Sequence, residues 1–575
     1  MRYDATIHTS GPGRLVVFPL CVVLCLSAAA VAQPGLWFDD QHPANLNEQD
    51  MRQLGQIAHV YAFGGEPIQI SDRLPRLVIV SVSDGQTPAR LAVGSGHGWN
   101  AAVRQAIDSL RPLNGMQWLR LDVITAVRPA GPMRHVWLED WATRRDGLAF
   151  DRESRLVLLA DELFARGLVD EHDRWQPRRT AAYIQHDAIR AAAFDRIRDF
   201  DGVDAYRFDT RHVLVDAAGP RTINWRDAAA FGGMYLAQAV NEQGRFTYQF
   251  DPRTTLVPPK YNMLRHSGSI YAMLELYRVT HDADLLAAVE RAIDYLLRQV
   301  RDLSVGEQRV KVVEERGDVK IGGNALAILA LVEYQHATGD DRHLPLARML
   351  AQYLVATQAD DGHFLIHKLL VPEGRDSGFV SEYYPGEAIF ALMRLYGIDN
   401  DPRWLRCAAA NADYLIDIRD AGKPVEELLP DHWLLYGLDV LHRARPDDRY
   451  LTHAIKVSRA VRLDQHDAGP WIGGFFDPAR STPTATRVEG LVAAHRLLRD
   501  FGHADEAAQI AEAIDRGAAF VQRCQIGPDL AMFYPMPQRT LGGVTASLDD
   551  PMIRIDFVQH AISAWLGAAD ILDPP

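Results

Sequence analysis

Four cysteines in 575 residues are too few for a disulfide-built scaffold, and two of them, Cys21 and Cys25, fall inside an apolar N-terminal run. Only Cys407 and Cys524 remain. Their spacing makes no zinc or redox pair, and one disulfide or two buried thiols are both open. Positive charge is also short: 61 Lys and Arg against 75 Asp and Glu leave a formal net charge of -14. That balance argues against nucleic acid as a partner, because such binding needs a basic footprint to displace counterions. After the first 32 residues no stretch is apolar for long enough to span a membrane, so the mature chain is expected to have no stable span. There is no HExxH, CxxC, Walker loop or nucleophile elbow, and neither a metal nor a cofactor is predicted. His363 and His367 sit in GHFLIHK, which reads as extended and keeps them off a common helix face; Gly322-Gly323 and Gly542-Gly543 read as turns.

What is present is ordinary globular material, 47% hydrophobic and 24% charged, in a chain long enough for two large cores. Arg2 and Arg14 precede LVVFPLCVVLCLSAAAV, which ends in the small-residue site Ala30-Val31-Ala32. This predicts a signal peptide over 1–32, a mature start near Gln33 and a periplasmic or extracellular location, with an uncleaved N-terminal anchor as the alternative. Residues 33–225 mix strand and helix patterns without a repeat and predict a smaller α+β domain of unknown role. Within it, LVIVSVS (77–83) ends in an Asp84-Gly85 turn with Ala89–Val93 as hairpin partner, a helix follows from about Asn100 to Leu110, and Leu119–Val123 reads as a half-buried strand. His97, Asp140 and His186 obey no ligand spacing and read as surface or core residues.

From 226 to 575 the pattern becomes a helical repeat. Units such as AMLELYRVTHDADLLAAVERAIDYLL and AIFALMRLYGIDNDPRWLRCAAANADYLI pair an almost wholly apolar helix with an amphipathic one across a short turn, Thr280-His281-Asp282 or Thr338-Gly339-Asp340. The turn Asp is a natural N-cap for the second helix. Periodicity predicts about twelve helix starts, near 229, 267, 283, 322, 342, 384, 402, 430, 450, 484, 504 and 558. Alternate helices should be buried and solvent-facing. A polar cluster stands ahead of each buried one: Arg265-His266; Lys320 with Asn324; Glu382-Tyr383-Tyr384 with Glu387; Asp431-His432-Trp433; Arg487 with Glu489; Arg554 and Asp556 with Gln559-His560.

Repeat number, alternation and the glycine-aromatic connections GRFTYQF at 244, DGHF at 361 and GGFF at 473 resemble the (α/α)6 toroid of the six-hairpin glycosidase superfamily. The resemblance is architectural and covers roughly residues 225 to 573; no subfamily's catalytic motif can be laid on this chain. It implies a mainly α fold, a pocket at the helix mouths and a polysaccharide or oligosaccharide substrate. Glycoside hydrolysis needs a proton donor and a second carboxylate, for which Glu387, Asp431, Glu489 and Asp556 are the catalytic candidates, with Glu382 behind them. Those acids forming buried ion pairs with Arg265, Lys320, Arg487 or Arg554 is the structural alternative. His266 and His560 are candidates for proton transfer at a sugar carbon, as an epimerase or uronate lyase requires, and Asn262 or an arginine would bind a substrate carboxylate. Arg265, Lys320, Tyr383, Tyr384, His432, Trp433, Arg487, Arg554 and Gln559 are the candidate substrate-binding residues; Tyr261, Trp471 and Phe475 are further aromatics at the mouths. A non-catalytic toroid that binds glycan or protein is the third reading.

Overall fold

The computed structural model describes residues 45–132, 146–150, 156–169, 174–185, 187–195 and 204–573. The expected signal peptide, and the positions Asp140 and His186, lie outside the described residues.

The first domain is built on a seven-stranded, antiparallel sheet. Helix α1 (Glu48–Phe63) opens on an Asn47–Asp50 capping box, and β1 (Pro75–Ser83), β2 (Arg90–His97) and α2 (Trp99–Ser109) follow. Then come β3 (Trp118–Pro132), β4 (Gly147–Phe150), β5 (Leu156–Leu158), the short helices α3 (Ala160–Arg166), α4 (Pro177–Ile184) and α5 (Ala188–Asp195), β6 (Asp204–Asp216) and β7 (Gly219–Arg221). The strand order is β2-β1-β3-β6-β4-β5, with β7 also on β6. The expected hairpin is β1–β2. Its alternation sorts side chains to two cores: Val78, Val80 and Val82 pack against α1 and α2, while Leu77 and Ile79 face the second domain. The expectation of a half-buried strand at Leu119–Val123 is corrected, because Arg120 and Asp122 on its polar face are 2% and 0% exposed. They are buried as a pair: the Arg120 guanidinium donates to Asp122 (2.8 Å) and Asp161 (2.6 Å).

The second domain is a closed ring of six helical hairpins. Outer helices α6 (Trp225–Ala239), α8 (Ala283–Leu297), α10 (Leu344–Ala356), α12 (Pro402–Tyr414), α14 (Asp448–Leu463) and α16 (Ala504–Arg523) alternate with inner helices α7 (Met263–Thr280), α9 (Ile321–Thr338), α11 (Tyr384–Asp399), α13 (His432–Ala444), α15 (Ser481–Asp500) and α19 (Ile555–Leu572). Each inner helix packs on the next in that order, and α19 packs on α7. On α9 every residue from Ile321 to Tyr334 is buried, whereas α16 buries a stripe that includes Ala507, Ile510, Ala513, Ile514 and Ala518. The turns behind the inner helices are short, and Asp282, Asp401 and Asp447 cap the helices that follow. Asp340 does not: α10 starts later, at Leu344, and Asp340 accepts from Arg342 N instead.

At the other end the connections are long. They hold β8 (Gln249–Phe250), β9 (Val300–Val305), β10 (Gln308–Glu315), β11 (Asp318–Lys320), β12 (Lys368–Leu370), β13 (Arg375–Asp376), two one-turn helices α17 (Pro528–Ala531) and α18 (Pro537–Thr540), and β14 (Ile553–Arg554). Four of the six contain the same joint. A positive-φ glycine lies against a carbonyl of the next outer helix: Gly244 on Arg291, Gly362 on Ala410, Gly473 on Arg516 and Gly542 on Phe231. In three of them a glutamine amide, from Gln358, Gln465 or Gln525, donates to carbonyls of the same two segments. The last joint sews α16's connection onto α6 and closes the circle. The first domain docks on this connection: Ala89 N donates to Met532 O (2.8 Å) and His212 pairs with Asp529. Cys407 and Cys524 are both buried, and no disulfide joins them to each other.

The Gly542 joint is the expected weak point. A Cβ there would lie 1.9 Å from Phe231 O at φ +83°, so Gly542→Ala should cost about 2–4 kcal/mol in denaturant unfolding. Gly306, at φ +59° with nothing nearby, separates conformation from contact: Gly306→Ala should cost only about 1 kcal/mol. Equal losses would remove the joint's special role.

Candidate active site

All six inner helices start at the end bearing the long connections, so their first turns converge. Close approach is possible because small residues stand at the crossings. Gly322 leaves room for the Glu387 carboxyl and the Tyr384 ring, and Gly490 lies against the His432 backbone, which brings Glu489 beside His432. The predicted clusters meet only in part, and the residues brought together divide into different roles.

Glu387 and Asp431 form the titrating pair. Glu387 is 5% exposed and its Oε2 has no hydrogen-bond partner. Burial, reinforced by the negative charge of Asp431, pushes its carboxyl up to about 8, only partly opposed by Arg265. Asp431 caps α13 through Leu434 N (3.1 Å), and its unbonded Oδ2 faces Arg419 at 3.6 Å. Burial raises it to about 6, the Arg419 charge holding it below Glu387. Near neutrality one carboxyl keeps its proton and the other has lost it.

Asp556 is a different kind of acid. It is clamped by Arg265 (2.6 Å) and Arg554 (2.5 Å), which outweigh its burial and hold it below the usual range. Arg265 also bonds Tyr248. Glu489 accepts from His560 Nδ1 at 3.0 Å. His432, 6% exposed, stands edge-on to His560 with ring centres 5.9 Å apart and against Trp433 at 5.0 Å and Tyr383 at 5.9 Å. Burial depresses its pKa, so the imidazole is neutral, and Nε2 has no partner. His432, Glu489 and His560 thus offer three ligand-type atoms within 4.8 Å of one another.

Other candidates lie elsewhere. His266 is fully buried and turned toward the outer layer, with Nδ1 on the Tyr261 hydroxyl and Nε2 on Ala292 O; burial lowers it to about 4. Lys320 pairs with Glu315 at 3.2 Å, and Asn262 caps α7. Asn324 ties β10 to α9. Gln559 is buried against Gly268, Arg487 lies over Phe475 and Phe476, and Phe475 is itself core. Glu382, with His367, Ser381, Arg419, Asp420 and Lys423, lines a cleft of about 730 Å³ whose walls reach Pro385 and Pro430, just ahead of the two titrating acids. A second cavity, of about 700 Å³, lies between sheet and ring. Four of the charged groups that line it are paired with one another, Arg120 with Asp161 and His212 with Asp529, so the mouth is the better candidate for chemistry.

Sequence reasoning passed over Arg419, Tyr248 and a deeper acid, Glu275, which Ser563 bonds at 2.6 Å and burial raises to about 7. The available signal was a lone acid inside an apolar helix, AMLELY, as in LVEYQ for Glu333, which Arg278, His336 and Arg394 surround.

This second domain has the architecture of the six-hairpin (α/α)6 toroids. No family model and no curated protein matches the chain. Solved structures do: an inactive variant of the alpha-1,6-mannanase of Salegentibacter sp. HEL1_6 in complex with alpha-1,6-mannotriose is 13% identical, over 60% of this chain and 99% of its own, at a TM-score of 0.45. Cellobiose 2-epimerase from Bacillus thermoamylovorans B4167 is 13% identical, over 59% and 98%, at 0.45, and a D-mannose isomerase 14%, over 60% and 96%, at 0.44. The likeness is one of fold and carries no residue role to this chain.

Glu387 gives a stability prediction with a definite sign. Its ordinary pKa is 4.5 and its folded one about 8, so between these values the unfolded chain has lost a proton that the folded chain retains. The Glu387 contribution therefore destabilises the fold increasingly as pH rises from 4.5 to 8. Glu387→Gln should melt higher than wild type at pH 8, with the gap closing toward pH 4.5; a pH-independent gap would contradict the assignment.

Proposed function

We propose that the chain is an exported carbohydrate-active enzyme that hydrolyses glycosidic bonds of an envelope or extracellular polysaccharide at the toroid mouth. The observation that carries this reading is the burial of Glu387 and Asp431 at the mouth, each with a carboxyl oxygen that has no hydrogen-bond partner, which pushes Glu387 up to about 8 and Asp431 to about 6. Glu387 is the proton donor to the leaving oxygen and Asp431 the carboxylate that activates water or attacks the anomeric carbon. Asp556, neutralised by two arginines, holds Arg265 near the pair, and Tyr383 offers an exposed ring face for sugar, whereas Tyr384 and Trp433 are buried in the packing. An epimerase or lyase acting through His266 is not favoured, since both its nitrogens are engaged away from the mouth. His432 and His560 pack too closely for a sugar ring to sit between them. Export rests on the N-terminal sequence alone, and N-terminal sequencing of the secreted or periplasmic protein should begin near Gln33.

Reducing-end release from α- and β-linked oligosaccharides tests the proposal. Turnover should follow a bell between about pH 6 and 8, since Asp431 must be ionised and Glu387 protonated. Glu387→Gln and Asp431→Asn should each lower kcat by about 10²–10⁴-fold while glycan binding persists. Turnover within tenfold of wild type in either variant would rule out the pair, and solvent deuterium at a sugar carbon without chain cleavage would favour epimerisation.

A further inference from the structure

We infer that His432, Glu489 and His560 form a binding site for a divalent transition-metal ion of the zinc class, set into the wall of the toroid mouth. The three residues come from α13, α15 and α19, and no segment of sequence contains two of them. Each supplies one donor atom, and the three donors lie within 4.8 Å of one another; among the described residues no other histidine, cysteine or carboxylate group meets that condition. Two imidazoles and one carboxylate are the donor set of open zinc sites, in which water or substrate takes the fourth position.

Geometry and surroundings both fit an ion. Bonds of about 2.1 Å in a tetrahedron put donor atoms roughly 3.4 Å apart. His560 Nδ1 and Glu489 are already at 3.0 Å, so only His432 has to close in. His432 Nε2 is buried without any hydrogen-bond partner, a position that costs free energy unless something occupies it. Binding replaces the His560–Glu489 hydrogen bond, His560 carrying its proton on Nε2 while Nδ1 coordinates. Outside the donors, Trp433 packs on both imidazoles, which fixes ligand orientation and limits water. The backbone crossing that allows this is narrow: a Cβ on Gly490 would lie 2.8 Å from the His432 Cα. The site itself does not depend on the glycosidase reading.

The test uses tag-free full-length protein, stripped with chelator and titrated with Zn²⁺ by calorimetry and with Co²⁺ by visible absorption, with no sugar present. One ion per chain should bind, Co²⁺ should show the intense visible bands of a four-coordinate ion, and His432→Asn and His560→Asn should each weaken Zn²⁺ binding at least 10-fold. Glu387→Gln, outside the donor set, should bind Zn²⁺ as wild type does, whatever happens to turnover. No stoichiometric ion in the wild type, a six-coordinate Co²⁺ spectrum, or undiminished binding in the double histidine variant would overturn the site. The wild-type spectrum decides the matter even if the histidine variants fail to fold.

Discussion

Ring closure is the constraint on which the remaining structure depends. A helical hairpin of this kind must pack on a neighbour at each side, and without capping repeats at the ends that need is met when the last returns to the first. The return is made by backbone contact: Gly542 lies on the Phe231 carbonyl while Gln525 donates to Ala228 O (2.8 Å). Because the same joint recurs at Gly244, Gly362 and Gly473, closure repeats a contact already made elsewhere in the ring. The first domain adds to it by packing one face of its sheet on the connection that carries the closing joint.

Closure also decides the electrostatics of the mouth. Six helix N-termini point to one end, and each favours a nearby negative charge by about 0.3–1 kcal/mol. That field would keep Glu387 ionised if it were the largest effect. It is not, because Glu387 reaches about 8, a displacement worth several such dipole contributions, through burial beside Asp431. Asp556, equally buried, moves the other way because two guanidiniums bond it. Neighbouring acids in one mouth thus titrate differently according to which partner each one meets.

Much of the ring was legible in the sequence. Expected starts near 384, 402 and 504 coincide with those of α11, α12 and α16, and the alternation of buried and exposed helices is the alternation of inner and outer layers. Starts near 229, 267 and 484 fell three or four residues late, because Trp225, Met263 and Ser481 begin turns that carry no apolar period. His266 illustrates the limit at the site. It follows Arg265, which faces the mouth, yet successive helix positions point about 100° apart, and His266 faces the outer layer.

By itself the sequence determined the two-part organisation, the six alternating pairs and the end of the ring at which polar residues gather, since these follow from periodicity and from turn and capping residues read locally. Tertiary structure alone decided which acids titrate, which are neutralised by arginine, and that His432, Glu489 and His560 meet. The reason is physical: a pKa or a ligand set depends on distances between side chains from different helices, and those are set by glycine-width crossings and ring closure, which no local window of sequence contains.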